Sequence, residues 1–419
     1  MNNTDTCPGR PAPLLSAWRF ITVFGAVSLL ADFVYEGARS ITGPLLASLG
    51  ATGLVVGVVT GIGEAAALSL RLMSGPLTDR TKRFWAWTIA GYMLTVITVP
   101  VLGITATLWV ACALVIAERV GKAVRSPAKD TLLSYATHAT GRGRGFAVHQ
   151  ALDQIGAVIG PLTVAAVLAT TDNDYGPALG VLALPGGAAL ALLVWLSIRV
   201  PNPARYETEA TDTPQPPPSI TTSNRLPRRA SLPTSFWMYC AFTSTTMIGF
   251  ATFGVLSFHM VTRGIIPAAA VPLIYAAAMA ADAAAALASG WAYDRIGAKT
   301  LAALPVLSVA VALVAFTNHP ESVIAGALLW GAAVGIQEST LRAVVADLVP
   351  PSRRATAYGV FAAGLGAATA AGGALTGWLY DTSIPALIAT IAGIQITALG
   401  LVATNGLRRR TALRDHPDR

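Results

Sequence analysis

Residues 74–83 read Ser-Gly-Pro-Leu-Thr-Asp-Arg-Thr-Lys-Arg, and residues 289–299 read Ser-Gly-Trp-Ala-Tyr-Asp-Arg-Ile-Gly-Ala-Lys. Both stretches contain the pattern Gly-x-x-x-Asp-Arg with a further basic residue just after it, and both lie between long apolar segments. In helical membrane proteins, short basic connections between apolar segments mark one side of the membrane. Because the same basic turn occurs once in each half of the chain, the sequence predicts a duplicated helical membrane protein.

The composition favours the same interpretation. The chain has 419 residues, of which 54% are hydrophobic and 12% are charged, and its mean hydropathy is +0.59. Soluble domains carry about 25% charged residues, so the low value predicts a surface that faces lipid. The apolar segments are roughly 20–30 residues long, which is enough to cross a hydrocarbon core of about 30 Å as helices. The expected fold class is therefore an all-α membrane protein.

The apolar segments number twelve, with six on each side of a long polar connection. The predicted spans are residues 18–47, 53–76, 84–106, 108–131, 146–169, 177–199, 235–259, 267–291, 299–317, 321–346, 356–379 and 384–406. The predicted domains are an N-terminal tail at 1–17, a six-helix bundle at 18–199, a linker at 200–234, a second six-helix bundle at 235–406 and a basic tail at 407–419. The linker is rich in proline and in mixed charges, a composition that cannot bury apolar surface.

The distribution of basic residues predicts the orientation. The net charge is +8, and most Lys and Arg residues lie in alternate connections, on the side that holds both basic turns, the linker and both tails. The other side holds Arg263 together with Asp172, Asp174, Glu321 and Asp381. The positive-inside rule therefore places both termini in the cytoplasm, with the protein in the plasma membrane, the inner membrane of a bacterium. The lipid bilayer is the expected environment, and nucleic acid is not an expected partner.

The two basic turns give the chain a resemblance to the major facilitator superfamily. The superfamily signature Gly-x-x-x-Asp-Arg-x-Gly-Arg is matched in the first turn by Gly75, Asp79, Arg80 and Arg83, with Lys82 in place of the usual glycine. It is matched in the second turn by Gly290, Asp294 and Arg295. The resemblance implies twelve transmembrane helices in two pseudo-symmetric six-helix bundles, and transport by alternating access.

The resemblance also implies a role for Asp79 as a conformational latch. In this superfamily such a carboxylate faces the positive end of a helix from the other half when the cavity opens outward. The alternative is that the turn only anchors the topology through Arg80, Lys82 and Arg83. Both interpretations stay open at this stage.

A narrower resemblance comes from the fourth and fifth spans. The stretch from Glu118 to Asp130 is similar to a large prokaryotic group of permease-like and efflux-like members of the superfamily. Gly156, Gly160 and Pro161 resemble part of the fifth-helix motif of proton-driven drug exporters, although the Gly-Gly pair that ends that motif is absent. Apart from any such role, two glycines four residues apart predict close helix packing.

Ionisable residues inside predicted spans are the candidates for function, because each costs roughly 2.5–3.5 kcal/mol on insertion scales. In the first span, Asp32, Glu36 and Arg39 recur at a spacing that places them on one helical face. They indicate a watery cavity in which one carboxylate exchanges protons or binds a cation and Arg39 adjusts its proton affinity. The alternative is a buried salt bridge that only holds helices together.

The fourth span contributes a second charged face. Glu118, Arg119 and Lys122 are predicted to be functional, with Arg119 or Lys122 contacting an anionic group or pairing with an acid of the first span. Arg125 and Lys129 are expected to reach the cytoplasmic interface with their charged ends.

The remaining candidates are scattered. Glu64, Asp153, Glu338 and Arg342 complete the set predicted for substrate binding or proton coupling. His149, four residues before Asp153, is expected at the membrane interface, although the pair could also relay protons. Charges are fewer in the second half, so the coupling residues are expected in the first.

The leading hypothesis is a monomeric, proton-coupled secondary transporter that exports a small organic molecule. Neither an enzymatic activity nor a cofactor or metal requirement is predicted, and no phosphate-binding loop pattern is present. Two alternatives remain open. The first is a divalent-metal transporter that uses Asp32, Glu36, His149 and Asp153 as ligands. The second is a membrane sensor that transports nothing.

Overall fold

The protein is described by a computed structural model that covers residues 15–140, 142–206, 232–350 and 353–414. The backbone alone is described at 138–139, 142–143, 342–343, 355 and 403–414. Most of the predicted N-terminal tail and linker, and residues 415–419 of the basic tail, therefore lie outside the described residues. All regular secondary structure in the described residues is helical.

In the first half, the described residues form eight helices. They are α1 (Ala17–Ser48), α2 (Gly53–Ser69), α3 (Arg71–Thr81), α4 (Phe84–Ile104), α5 (Leu108–Thr140), α6 (Arg142–Thr170), α7 (Tyr175–Gly180) and α8 (Ala183–Arg199). α2 and α3 meet at Leu70 within one predicted span, and α7 and α8 likewise share one span.

Seven helices occur among the residues that the structure describes in the second half. They are α9 (Thr234–Ile248), α10 (Phe253–Thr262), α11 (Val271–Ile296), α12 (Ala303–Ala315), α13 (Pro320–Leu348), α14 (Arg354–Thr382) and α15 (Ile384–Arg414). Short 3-10 helices at Ala268–Ala270 and Gly297–Ala302 precede and follow α11. The chain crosses the bundle in alternate directions, so one end carries Asp79 and the other carries Asp381. These ends are called the Asp79 end and the Asp381 end below.

Ten segments of the described residues are long and apolar enough to span a membrane. One of them, Ala268–Ala315, has 48 residues and contains both α11 and α12. α5 has 33 residues but is not among the ten. The predicted total of twelve is therefore reached only when the long segment counts as two spans and α5 counts as one. The fold class is confirmed as an all-α, multi-pass membrane architecture.

The two basic turns each have a residue of positive φ at the same position. Lys82 ends α3 with a φ of 55°, and Gly297 ends α11 with a φ of 63°. Glycine adopts positive φ easily and other residues adopt it rarely. Lys82 therefore has a positive φ at the position where the signature usually has glycine.

The interior of the span formed by α9 and α10 is broken at residues 249–252. Irregular backbone at membrane depth is tolerated only where its polar groups find partners in the protein or a cavity. Here Gln395 donates from Nε2 to the carbonyl of Thr246 at 2.9 Å, and Trp330 donates from Nε1 to the carbonyl of Ala251 at 3.0 Å. Thr252 then caps α10 by accepting from the N–H of Val255. The break thus brings irregular backbone to the middle of the bundle.

Candidate functional site

A cavity of about 780 Å³ lies between the two halves. Helices α1, α2, α3 and α5 line it from one side, and α9, α10, α13 and α14 line it from the other. Exposed Asp79 and Pro76 belong to its lining, as does Tyr358 near the start of α14. The cavity therefore opens at the Asp79 end, and its deepest described side chains include Arg39 and Thr42.

The Asp381 end is closed by contacts between the halves. The carboxylate of Asp381, near the end of α14, accepts from the N–H groups of Gly53 and Leu54 at 2.8 Å each. In a second contact between the halves at this end, Asn173 Oδ1 accepts from the N–H of Ala269 at 3.1 Å. In both places an Asp or Asn side chain of one half caps the start of a helix of the other half.

Glycines let α2 and α14 pack backbone against backbone. A Cβ added at Gly57 would collide with the carbonyl oxygen of Gly373, and one added at Gly61 would lie 3.0 Å from the carbonyl oxygen of Thr369. On the opposite helix, a Cβ added at Gly377 would collide with the carbonyl of Gly53. Gly53, Gly57 and Gly61 recur every four residues along α2, a pattern that favours close helix packing. The sequence predictions did not include this contact.

The predicted packing glycines lie in a similar contact inside the first half. Cβ atoms added at Gly156 and Gly160 would collide with the carbonyl oxygens of Leu29 and Phe33 on α1. Pro161 lies inside α6. The three residues thus contribute to the packing of α6 on α1.

A chain of ion pairs crosses the deep part of the cavity. Glu64 Oε1 accepts from Arg39 Nη2 at 2.9 Å and lies 3.1 Å from Arg119 Nη1. Arg119 Nε is 3.4 Å from Glu118 Oε2, and Arg39 Nη1 is 3.7 Å from Glu36 Oε2. Five of the predicted residues, from α1, α2 and α5, therefore form one continuous network in which Glu64 is the central acid.

The ion-pair network contacts the other half through Glu36 and Arg39. Tyr275 of α11 donates its hydroxyl hydrogen to Glu36 Oε2 in a short hydrogen bond. The guanidinium of Arg39 lies over the ring of Trp330 at 5.8 Å. Beside them, the hydroxyls of Thr60 and Thr252 are 2.8 Å apart. Neither Tyr275 nor Trp330 was among the predicted residues, because nothing in the local sequence distinguishes them from other aromatic residues of the spans.

A second polar cluster lies between α1, α5 and α6. Asp153 Oδ2 is 3.3 Å from His149 Nδ1 and 3.8 Å from Lys129 Nζ, and Lys129 also donates to the hydroxyl of Ser28 at 3.2 Å. His149 is buried and packs on the ring of Phe24. His149 is therefore buried beside Asp153, as the proton-relay alternative requires, and its depth in the membrane stays a prediction.

Arg125 and Lys129 also differ from the expectation. Arg125 is only 3% exposed, donates to the Thr95 hydroxyl at 2.8 Å and lies over the Tyr92 ring. Lys129 pairs with Asp153. Both side chains find partners on neighbouring helices rather than reaching the interface, which corrects the prediction for both.

Asp32 lies on the same helix as Glu36 but outside the ion-pair network. No basic side chain of the described residues lies within 4.0 Å of its carboxylate, and it does not line the large cavity. In the second half, buried Asp282 accepts from Gln154 Nε2 at 3.0 Å, a further hydrogen bond between the halves. Glu338 is exposed to the cavity. The side chain of Arg342 lies outside the described residues.

The predicted turn residues lie at the Asp79 end. Asp79 and Arg80 are exposed, and no hydrogen bond or ion pair of Asp79 occurs among the described residues. In the second turn, Asp294 is exposed and Arg295 lies over the ring of Trp291 at 3.5 Å. Gly75 and Gly290 have open space where a Cβ would lie, and Arg83 precedes α4 as its N-cap. Within the described part of the chain, Asp79 therefore makes no hydrogen bond or ion pair with the other half.

The four ligands proposed for a divalent metal do not form one group. His149 and Asp153 are paired with each other, whereas Glu36 is held by Tyr275 and Arg39. Within the described part of the chain, no three His, Cys, Asp or Glu side chains lie close enough together to hold a metal ion.

Comparison with known sequences identifies relatives over nearly the whole chain. The family model described as Major Facilitator Superfamily matches residues 25–280 and 265–417. An uncharacterized protein of Mycobacterium tuberculosis is 70% identical over 391 residues, which cover 93% of this chain and 94% of that protein. An uncharacterized MFS-type transporter of Methanocaldococcus jannaschii is 27% identical over 140 residues, 33% of this chain and 35% of that protein.

Solved structures with the same fold are membrane transporters. The nucleoside transporter NupG superposes with a TM-score of 0.67 at 14% identity, covering 92% of this chain and 98% of that one. A peptide transporter POT in complex with sulfate gives 0.66 at 15% identity, covering 94% of each chain. A bacterial homolog of the human lysosomal transporter Spinster, in an inward-facing and unoccupied conformation, gives 0.64 at 13% identity, covering 94% of this chain and 95% of that one. At these identities the likeness concerns the fold.

Proposed function

The chain belongs to the major facilitator superfamily, and on this premise we propose that it is a proton-coupled secondary transporter that exports a small organic molecule by alternating access. The observation that carries the proposal is the cavity of about 780 Å³ between the halves, open at one end and closed at the other. Its volume is within the range of sites for drug-sized ligands. The proposed orientation places the Asp79 end in the cytoplasm, because the described basic residues of the connections, except Arg263, lie at that end.

Glu36 is the proposed site of proton coupling. When its carboxylate is ionised, it accepts the hydrogen bond from Tyr275 of the other half and attracts Arg39. A proton on Glu36 would remove the charge from both contacts. Hydrogen bonds to charged groups contribute about 1.5–3 kcal/mol, which corresponds to at least a tenfold change in an equilibrium between two conformations. Proton binding at Glu36 can therefore change which end of the cavity is open.

Export is proposed from the resemblance of α6 to the fifth helix of proton-driven exporters. Gly156 and Gly160 hold α6 against the backbone of α1, the helix that carries Asp32, Glu36 and Arg39. The same glycines carry the resemblance to the fifth-helix motif of proton-driven exporters. Because α6 packs closely on α1, we expect the acids of α1 to move together with the first half.

The experiment that tests this function is reconstitution into liposomes that enclose a pH-sensitive dye. Labelled organic anions, cations and neutral compounds of matched size are added with and without an imposed pH gradient. We expect at least one compound to accumulate only with the gradient and to dissipate it. A protein that moves none of them is not such a transporter, and one that binds a compound without moving it would fit the membrane-sensor alternative.

Replacing Glu36 by glutamine is expected to abolish accumulation driven by the pH gradient, while exchange of labelled for unlabelled substrate continues. The amide keeps the size of the side chain but cannot change its charge with pH. The matched control is Asp172→Asn, which changes an acid in the loop between α6 and α7. Gradient-driven accumulation at the wild-type level in the glutamine variant would exclude Glu36 from proton coupling.

Replacing Asp381 by alanine is expected to open the Asp381 end more often. The variant loses two hydrogen bonds that cap α2, and a cap contributes about 0.5–2 kcal/mol, so the open population should rise about two- to thirtyfold. The probe is Ser257→Cys in a chain without its three native cysteines, because Ser257 is 0% exposed and lies against Gly43 near this end.

The measurement is the rate at which an impermeant maleimide labels the introduced cysteine from the Asp381 side. Asp174→Ala is the matched control, because Asp174 caps α7 within its own half by accepting from the N–H of Gly176. Equal labelling rates in the Asp381 variant, the Asp174 variant and the parent would contradict a closing role for Asp381.

A further inference from the structure

Lys122 is a cation of the cavity whose charge has no close counter-ion. It is half-buried, lines the large cavity from α5 and lies over the ring of Tyr35 with its Nζ 4.1 Å from the ring centroid. No carboxylate of the described residues lies within 4.0 Å of its Nζ. A cation at membrane depth is expected to have an anionic partner or water, so the contact with Tyr35 leaves room for a negatively charged ligand.

The side chains that line the cavity carry four basic groups and three acidic ones: Arg39, Arg71, Arg119 and Lys122, and Glu64, Asp79 and Glu338. Glu64 is shared by Arg39 and Arg119, and Arg119 has Glu118 as a second carboxylate. Glu36 is held by Tyr275 and Arg39. Of Arg39, Arg119 and Lys122, Lys122 is the one with no described carboxylate within 4.0 Å.

The opposite wall of the cavity is mainly aromatic. Phe250, Phe253 and Trp330 line it, and the Phe253 and Trp330 rings are 5.2 Å apart. Gln337 adds a side-chain amide whose Nε2 has no hydrogen-bond partner among the described residues. A ligand that reaches Lys122 would therefore place the rest of its body against aromatic rings and one free donor.

Two further acids line the cavity, but they favour a cationic ligand less strongly than Lys122 favours an anionic one. Asp79 lies at the opening and Glu338 on the wall formed by α13, and both are exposed. Exposed carboxylates are hydrated, so they need no ligand to balance their charge. The half-buried charge of Lys122 is less well hydrated.

We propose that the transported molecule is an organic anion with an apolar, aromatic body, whose acidic group pairs with Lys122 and whose body packs on Phe250, Phe253 and Trp330. The inference rests on the proposed transport function and adds the class of substrate to it. The cavity volume of about 780 Å³ admits a ring system with one acidic substituent. Carboxylates and sulfonates share the required chemistry.

The test measures binding to the purified full-length protein in lipid nanodiscs by calorimetry, without any gradient. The probes have one body and different charges: 2-naphthoate and 2-naphthalenesulfonate as anions, 2-naphthamide as the neutral compound and 2-(aminomethyl)naphthalene as the cation. We expect the anions to bind at least about tenfold more tightly than the other two probes, as a charge-assisted hydrogen bond would give. Lys122→Gln should remove this preference, and Lys122→Arg should keep it.

Lys299→Gln serves as the control, because Lys299 is an exposed lysine in the 3-10 helix after α11. Lys122→Met provides a second neutral variant if the glutamine variant does not fold. If neither variant folds, the relative affinities of the wild type for the anionic, neutral and cationic probes test the substrate class. The proposal is overturned if no anion binds, if the amide or the amine binds as tightly as the anions, or if the neutral variants keep the preference.

These outcomes are separable from those of the transport assay. Binding of the anions without any coupled proton movement would leave the substrate class standing and remove the proton coupling. Gradient-driven movement of a cation or a neutral compound, with no binding of the anions, would leave the transport function standing and remove the substrate class.

Discussion

Replacing Glu64 by alanine is expected to reduce transport to background and to lower the thermal midpoint of the protein in detergent. Glu64 is the acid shared by Arg39 and Arg119, so its removal leaves two guanidinium groups facing each other without their common counter-ion. Breaking a fully buried ion pair costs roughly 3–5 kcal/mol. The Glu64 side chain is 26% exposed and lines the cavity, so about 2 kcal/mol is expected here because water screens part of the charge.

The comparison of three variants separates charge from shape. Glu64→Gln keeps an acceptor for Arg39 and should lose transport while keeping more of the thermal stability than the alanine variant. Glu321→Ala is the control, because Glu321 is an exposed acid in the first turn of α13. Wild-type transport together with an unchanged thermal midpoint in Glu64→Ala would show that the ion-pair network is not needed.

Replacing Gly57 by valine is expected to prevent the Asp381 end from closing and to abolish transport. The added side chain would collide with the carbonyl oxygen of Gly373, and its Cβ would lie 3.0 Å from the Cα of Gly377. These atoms belong to backbone, which cannot turn aside as a flexible side chain can. Overpacking costs roughly 1–3 kcal/mol in tight cores, so the ratio of closed to open molecules should fall about five- to 160-fold.

The Ser257→Cys probe measures this effect as well. Labelling from the Asp381 side should become faster in the Gly57 variant than in its parent. Gly393→Val is the matched control, because Gly393 lies inside a helix and has nothing within 4 Å of an added Cβ. If valine at Gly57 leaves both the labelling rate and transport unchanged, close approach of α2 and α14 is not required for closure.

The repeated turns show how local sequence determines local structure. A basic turn was predicted in both halves, and Lys82 and Gly297, at the same place in the two turns, both have a positive φ. The span predictions were also close at their starts, as for α2 and α4. They did not include the break at 249–252, because the carbonyls of Thr246 and Ala251 beside and within it bind Gln395 and Trp330, residues far away in the chain.

The candidate site was predictable as a set of residues but not as a set of contacts. Helical spacing placed Asp32, Glu36 and Arg39 on one face of α1. It did not show that Arg39 binds Glu64 while Asp32 stays apart from the ion-pair network. Partners on other helices decide these roles, and their positions depend on how α1, α2 and α5 pack.

The sequence by itself determined that this chain spans a membrane as two related halves. Hydropathy, helix length and the repeated basic turns are local properties, and they decide directly which segments enter the bilayer and in which orientation. Only the tertiary structure decided which end of the cavity is closed, which charges are paired and that Lys122 is not. Those outcomes depend on backbone approaches such as that of Gly57 to Gly373, and on distances of a few ångströms between residues far apart in the chain.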